Sequence, residues 1–95
     1  MDISEIAGRM AKGLQARRFD GSLKFDCGPD GVIVLADNAV SRDDQATDCT
    51  IKITQDNLAK LITGKLNPMT GVMMGKLKVS GDARVAMKLG DLLKG

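Results

Sequence analysis

The chain has 95 residues, 43 % hydrophobic and 27 % charged, with a net charge of +2, which bounds it to one domain with one core. It has no His, Trp or Tyr and two Phe, which removes the commonest general base and metal ligand near neutral pH and the aromatic platforms that stack single-stranded bases. The charge falls short of a nucleic-acid binder's basic footprint and two cysteines cannot build a four-cysteine zinc site, so no nucleic-acid partner, no cofactor and no metal are expected.

Ile3, Ile6, Ala7, Met10 and Leu14 recur at helical spacing, predicting a one-faced helix over about residues 2–16. Its polar face mixes Asp2, Glu5, Arg9 and Lys12, which suits packing on a sheet better than lying on a membrane. The acidic start, Met1-Asp2-Ile3-Ser4-Glu5, lacks the layout of a signal peptide. No stretch approaches the ~20 apolar residues of a membrane span. Cys27 and Cys49 read as reduced, small buried hydrophobes, and a cytoplasmic location is expected.

The period then changes to two. Phe19, Gly21, Leu23, Phe25 and Cys27 alternate with Asp20, Ser22, Lys24 and Asp26, a half-buried strand. Gly28-Pro29-Asp30-Gly31 is a turn, and Val32-Ile33-Val34-Leu35 reads as the partner strand of a hairpin. Asp37 to Asp44 is polar and loop-like, with a short edge strand near Val40. Cys49, Ile51 and Ile53 alternate with Asp48, Thr50, Lys52 and Thr54 in another strand. Thr54 is placed to cap a helix with Leu58, Leu61 and Ile62 on its apolar face, which Gly64 ends. Asn67-Pro68 restarts helix as cap and first position, with Met69, Val72 and Met73 on one face. Leu77 and Val79 alternate with Lys76, Lys78 and Ser80 in a last strand. Gly81-Asp82 leads into a final helix with Val85, Leu89, Leu92 and Leu93 on one stripe, Met87 off it, and Lys94 at the negative end of its dipole. The last strand arrives through a helical crossover, which permits parallel pairing. Helices over one sheet face give an α+β layered domain.

Reactive constellations are missing. Both Gly-Lys pairs are followed by Leu, at Leu66 and Leu77, and Ala59 and Thr70 stand where a phosphate loop needs its earlier Gly. Asp37, Asp43, Asp44 and Asp48 lack the spacing and closing Glu of a calcium loop and read as a solvated loop. Ser4, Ser22, Ser41 and Ser80 have no His to activate them. The chain is not expected to be an enzyme.

Four segments carry a resemblance: Asp48-Cys49-Thr50-Ile51, Leu61-Ile62-Thr63-Gly64-Lys65-Leu66-Asn67-Pro68, Met74-Gly75-Lys76-Leu77-Lys78-Val79-Ser80-Gly81-Asp82 and Ala86-Met87-Lys88-Leu89. In this order and spacing the chain resembles the sterol carrier protein 2 domain family, best over about residues 46–93. The resemblance implies one domain over residues 1–95. Its fold would be a five-stranded mixed, mostly antiparallel sheet covered on one face by helices and enclosing an apolar cavity. It implies a lipid carrier that binds fatty acids, fatty acyl-CoA, phospholipids or sterols and transfers them, with transient membrane contact and a lipid-metabolising enzyme as candidate partners. The ending Leu93-Lys94-Gly95 is not the peroxisomal tripeptide of animal members. Val72-Met73-Met74 stands where relatives often carry an aromatic, which would widen or soften the cavity wall.

On this picture the wall is Ile33 and Leu35 from the sheet, Leu58 and Ile62 from the middle helix, Met69, Val72 and Met73 from the short helix, and Val85 and Leu89 from the last. For each, plain core packing is the competing reading. Met69, Met73, Met74 or Met87 would let the wall adapt to different chains. Gly64, Gly71 and Gly75 make the short helix a candidate gate, or serve only caps and close packing. Lys65 and Lys76 meet a carboxylate or CoA phosphates, or stay solvated. The alternative function is a non-catalytic interaction or accessory module that engages a partner protein through the same apolar groove.

Overall fold

The computed structural model describes residues 2–16 and 18–93. The expected Lys94 lies outside the described residues, and so do the side chains of Leu92 and Leu93. The first helix, α1 (Ile3–Ala16), buries the stripe Ile3, Ile6, Ala7, Met10 and Leu14. The Asp2 carboxylate accepts from the Glu5 N–H at 2.8 Å, satisfying one of the donors that a helix start leaves open.

Strand β1 (Leu23–Asp26) is shorter than the alternating pattern. Gly21 breaks it with φ +96, and the Phe19 N–H turns aside to the Asn38 side-chain oxygen at 2.9 Å. A 3-10 turn, Gly28–Asp30, leads to β2 (Val32–Ala36). Asp37 and Asn38, both at positive φ (53 and 57), then join β2 to β3 (Ala39–Ser41). Two left-handed central residues are the hairpin turn that matches strand twist, and short polar side chains tolerate it.

Strand β4 (Cys49–Ile53), helices α2 (Gln55–Ile62) and α3 (Pro68–Met73), strand β5 (Leu77–Gly81) and helix α4 (Ala83–Leu93) follow. The expected cap at Thr54 forms, its Oγ1 accepting from the Asn57 N–H at 3.2 Å; at the start of α4, Asp82 Oδ1 accepts from the Arg84 N–H at 2.9 Å.

The sheet order is β3-β2-β1-β4-β5. Three neighbour pairs are antiparallel and β1–β4 is parallel. The parallel pair is not the one the helical crossover suggested. Ile53 pairs with Leu77, so α2 and α3 leave and re-enter at the same end of the sheet, and β5 runs back along β4. The parallel partner arises from residues 42–48 instead. They return from the end of β3 to the start of β4 across β2 and β1, where Asp44 meets Lys24 at 2.6 Å. Val34 faces outward between inward Ile33 and Leu35, yet it is fully buried. It is the register partner of Lys24, so it lies beneath this crossing. Ser22 and Asp48 clamp the far end reciprocally, Asp48 N–H to Ser22 Oγ at 2.7 Å and Ser22 N–H to Asp48 Oδ2 at 3.2 Å.

The inner face carries Leu23, Phe25, Ile33, Leu35, Cys49, Ile51, Ile53 and Leu77, which join the stripe of α1 with Leu58, Leu61, Val85 and Leu89 in one core. Helix α1 packs on β3 and α2, while α3 and α4 pack on β4 and β5. The two halves of the inner face therefore have different covers.

Candidate functional site

On the β4–β5 half the cover does not close. A cavity of about 580 Å3 remains between the sheet, α3 and α4. Its floor is Ile51 of β4 with its register partner Val79 and the neighbouring inward residue Leu77 of β5. Leu61 comes from α2, Gly64 and Leu66 from the α2–α3 connection, Pro68 from the start of α3, and Ala83, Ala86 and Leu89 form the α4 side. Met69, Val72 and Met87 complete the wall although they are 73 %, 48 % and 76 % exposed. A side chain that lines a cavity while mostly open to solvent stands at its mouth. The entrance therefore lies between α3 and α4.

Among the described residues, the only polar side chain on this wall is Asn67. Its carbonyl oxygen is engaged, accepting from the Met69 and Thr70 N–H groups at 2.9 and 3.4 Å to start α3. Among the described residues, no titratable side chain lines the cavity. The wall they form can take apolar surface out of water.

Gly71 sets how closely α3 sits. A Cβ there would stand 2.9 Å from Leu77 Cδ2 and 3.6 Å from Leu66 Cδ2, so the missing side chain lets the helix lie directly over β5. The close packing of Gly71 follows from this contact. Gly64 and Gly75, at φ +80 and +73, end α2 and α3 in the left-handed conformation.

Of the wall residues expected from sequence, Met69, Val72 and Leu89 line this cavity. Ile33, Leu35 and Leu58 are fully buried in the core instead, because strand order puts β2 on the α1 side, two strands from β4. Val85 packs toward Gly21, where a Cβ would come within 3.3 Å of it. Besides Leu89, the cavity sees α4 through Ala83, Ala86 and Met87, on the flank of the Val85–Leu89 stripe. Ile62 packs against the core. Met73 is 85 % exposed and off the wall, since the α3 turn facing β5 is the one carrying Gly71. Leu61, Leu66, Ile51, Leu77 and Val79 were missed. The signal for the last three was their alternation in strands flanking the helical pair, and the order of strands hid its meaning.

The remaining reactive groups lie elsewhere. Cys27 and Cys49 are free and buried. Burial, reinforced by Asp30 and Asp26, pushes the Cys27 thiol up to about 11, and burial raises that of Cys49. Both are neutral thiols at neutral pH. Asp44 and Asp48 of the expected solvated loop hold the crossing segment. Among the described residues, no three His, Cys, Asp or Glu are grouped to hold a metal ion, and no helix is long and apolar enough to cross a membrane.

The family model described as the SCP-2 sterol transfer family matches residues 4–94. The chain is 50 % identical over 49 residues to sterol carrier protein 2 of Gallus gallus, a stretch that is 52 % of this chain and 9 % of that protein. It thus matches only about a tenth of the length of this curated relative. Among solved structures, sterol carrier protein 2 from Aedes aegypti in complex with the C16 fatty acid palmitate superposes with a TM-score of 0.80 at 20 % identity, covering 98 % of this chain and 96 % of that one. The sterol carrier protein domain 2 of Helicoverpa armigera gives a TM-score of 0.74 at 25 % identity, covering 95 % and 84 %.

Proposed function

The chain belongs to the SCP-2 sterol transfer family, and from that membership we propose that it is a lipid carrier that takes a fatty acyl chain into the cavity and releases it unchanged. The observation that carries this reading is the wall itself, about 580 Å3 lined by aliphatic and methionine side chains with no titratable group among the described residues. That volume lies within the range of small-molecule sites, about 300–1,000 Å3. The palmitate held by the Aedes aegypti protein of similar fold supports the same ligand class here. Ile51, Leu61, Leu77, Val79, Ala86 and Leu89 hold the chain, and Met69, Val72 and Met87 frame its entry. Fatty acids and fatty acyl-CoA, phospholipids and sterols are the candidate cargoes.

A palmitoyl-length chain gains about 10 kcal/mol gross at about 0.8 kcal/mol per buried methylene. Ordering and association costs leave about 8 kcal/mol, a micromolar affinity, which suits a carrier that must also let go. Mouth methionines fit varied cargo, because their unbranched, polarizable chains repack easily. Fatty acid binding is tested by displacing a fluorescent fatty acid from delipidated protein with palmitate, palmitoyl-CoA and a sterol. Saturable one-to-one binding near micromolar is expected, and the order of competitors names the cargo class. Folded protein without saturable binding would exclude the carrier and leave the interaction module.

A further inference from the structure

The chain has six Met, two Cys and no His, Trp or Tyr, so sulfur is where a two-electron oxidant acts on it. Burial decides which sulfurs such an oxidant reaches. Cys27 and Cys49 are buried, and cysteine reacts as its thiolate, the form that burial disfavours here. Met10 is buried under α1, and Met1 lies outside the described residues. The other four, Met69, Met73, Met74 and Met87, are exposed. They stand on α3, on its C-terminal cap and on α4. Met69 and Met87 also line the cavity, whereas Met73 and Met74 are off its wall. Among the described residues, Met69 and Met87 are the place where water-accessible sulfur meets the path of the cargo.

We propose that Met69 and Met87 form an oxidation site at the cavity mouth, where a hydroperoxide converts both to sulfoxides and thereby weakens the hold on an acyl chain. The sulfur lone pair attacks one peroxide oxygen. The O–O bond breaks as the S–O bond forms, and the proton on the transferred oxygen passes to the departing one. With hydrogen peroxide the other product is water, and the two electrons that sulfur loses are those the peroxide gains. A flexible apolar side chain becomes a polar one. Entry of a cargo chain then strips water from the new oxygens, a cost the thioethers do not carry. Two thiols reverse the change, forming a disulfide and water, in the reaction that methionine sulfoxide reductases catalyse. The site rests on the carrier reading, since its effect is on cargo. Occupancy and oxidation therefore compete: a chain lying against Met69 and Met87 shields their sulfurs and leaves Met73 and Met74 open to the oxidant.

The test treats the full chain with hydrogen peroxide, locates sulfoxides by peptide mass spectrometry and measures palmitate affinity by displacement of a fluorescent fatty acid. Sulfoxides are expected at Met69, Met73, Met74 and Met87, with Met10 still reduced and the circular dichroism spectrum kept. Palmitate affinity should fall by at least about tenfold, the equivalent of about 1.4 kcal/mol. Palmitate bound beforehand should slow oxidation of Met69 and Met87 without slowing that of Met73 and Met74. Peroxide should leave the affinity of Met69→Leu/Met87→Leu where it started and should weaken Met73→Leu/Met74→Leu as it weakens the parent. Met69→Gln/Met87→Gln should reproduce the weakening without peroxide. Protein that carries sulfoxides at Met69 and Met87 and binds palmitate as tightly as before would overturn the proposal. So would a Met69→Leu/Met87→Leu variant that still loses affinity on treatment, or oxidation of Met10 ahead of the mouth. Untreated, folded protein that binds no palmitate removes the carrier itself, whereas binding that survives oxidation removes the oxidation site alone.

Discussion

Replacing Ala86 by Phe puts a ring where the cargo is proposed to lie. Ala86 is partly buried on α4 and lines the cavity. If the ring displaces about five methylenes of the ligand, at about 0.8 kcal/mol each the loss is about 4 kcal/mol, which is about a thousandfold in Kd. The fold should respond in the opposite sense. Burying a Phe side chain contributes about 1.5–3 kcal/mol, against about 1–3 kcal/mol of strain where no room exists. With about 580 Å3 available the strain is small, so Ala86→Phe should melt at or above the parent's temperature. Displacement of a fluorescent fatty acid, run beside a thermal melt, reads both quantities. A variant that melts like the parent and binds palmitate as well would place the lipid elsewhere. One that loses several kcal/mol of stability would show that Ala86 has no space before it.

Ile33→Val should behave in the reverse way, because Ile33 is core and not wall. It should cost about 1 kcal/mol, lowering Tm by about 4–8 °C, with palmitate affinity unchanged in the folded protein; altered affinity at constant stability would contradict its placement. Gly81→Ala should be severe. Its φ is +91, and a Cβ there would stand 2.5 Å from the Asp48 carbonyl oxygen, a backbone atom that cannot swing aside. A loss of about 3 kcal/mol or more is expected in a denaturant melt, and a near-neutral result would show that β4 and β5 are not so close there. Cys27 and Cys49 should resist a thiol reagent until the chain unfolds, and fast labelling of native protein would contradict their burial. The Cys27 thiol is raised from an ordinary 9.0 to about 11, so the unfolded chain loses that proton first. Its contribution to stability should be intact below pH 9 and decline as pH rises toward 11; stability that grows over this window would reverse the sign.

Local rules made most elements legible. Periodicity marks α1 and the strands, caps at Thr54 and Asn67 fix where α2 and α3 begin, and Gly81-Asp82 leads into α4. The α2–α3 pair and the final helix were placed correctly because each signal is local. What the pattern could not carry was which strands sit side by side. Ile33 and Ile51 look alike in a sequence, each an inward residue of a half-buried strand. Only the crossing of residues 42–48, which sets β4 against β1 and leaves β2 two strands away from it, makes one core and the other cavity floor. The last helix departs for a related reason. Of its strongest stripe, Leu89 reaches the cavity while Val85 turns to the core. The rest of the α4 wall comes from the flank, Ala83, Ala86 and Met87. Met73 shows the limit of face-sharing in a helix of six residues, where one buried glycine decides the orientation.

The methionines provide the most direct test of where the lipid sits. With their ε-methyl groups labelled with carbon-13, palmitate should give intermolecular nuclear Overhauser effects to Met69 and Met87, which frame the mouth. Met10, buried under α1, should give none. That pattern is the predicted result. Contacts to Met10, or saturating palmitate with no contact to Met69 or Met87, would contradict the assignment of the cavity as the lipid site.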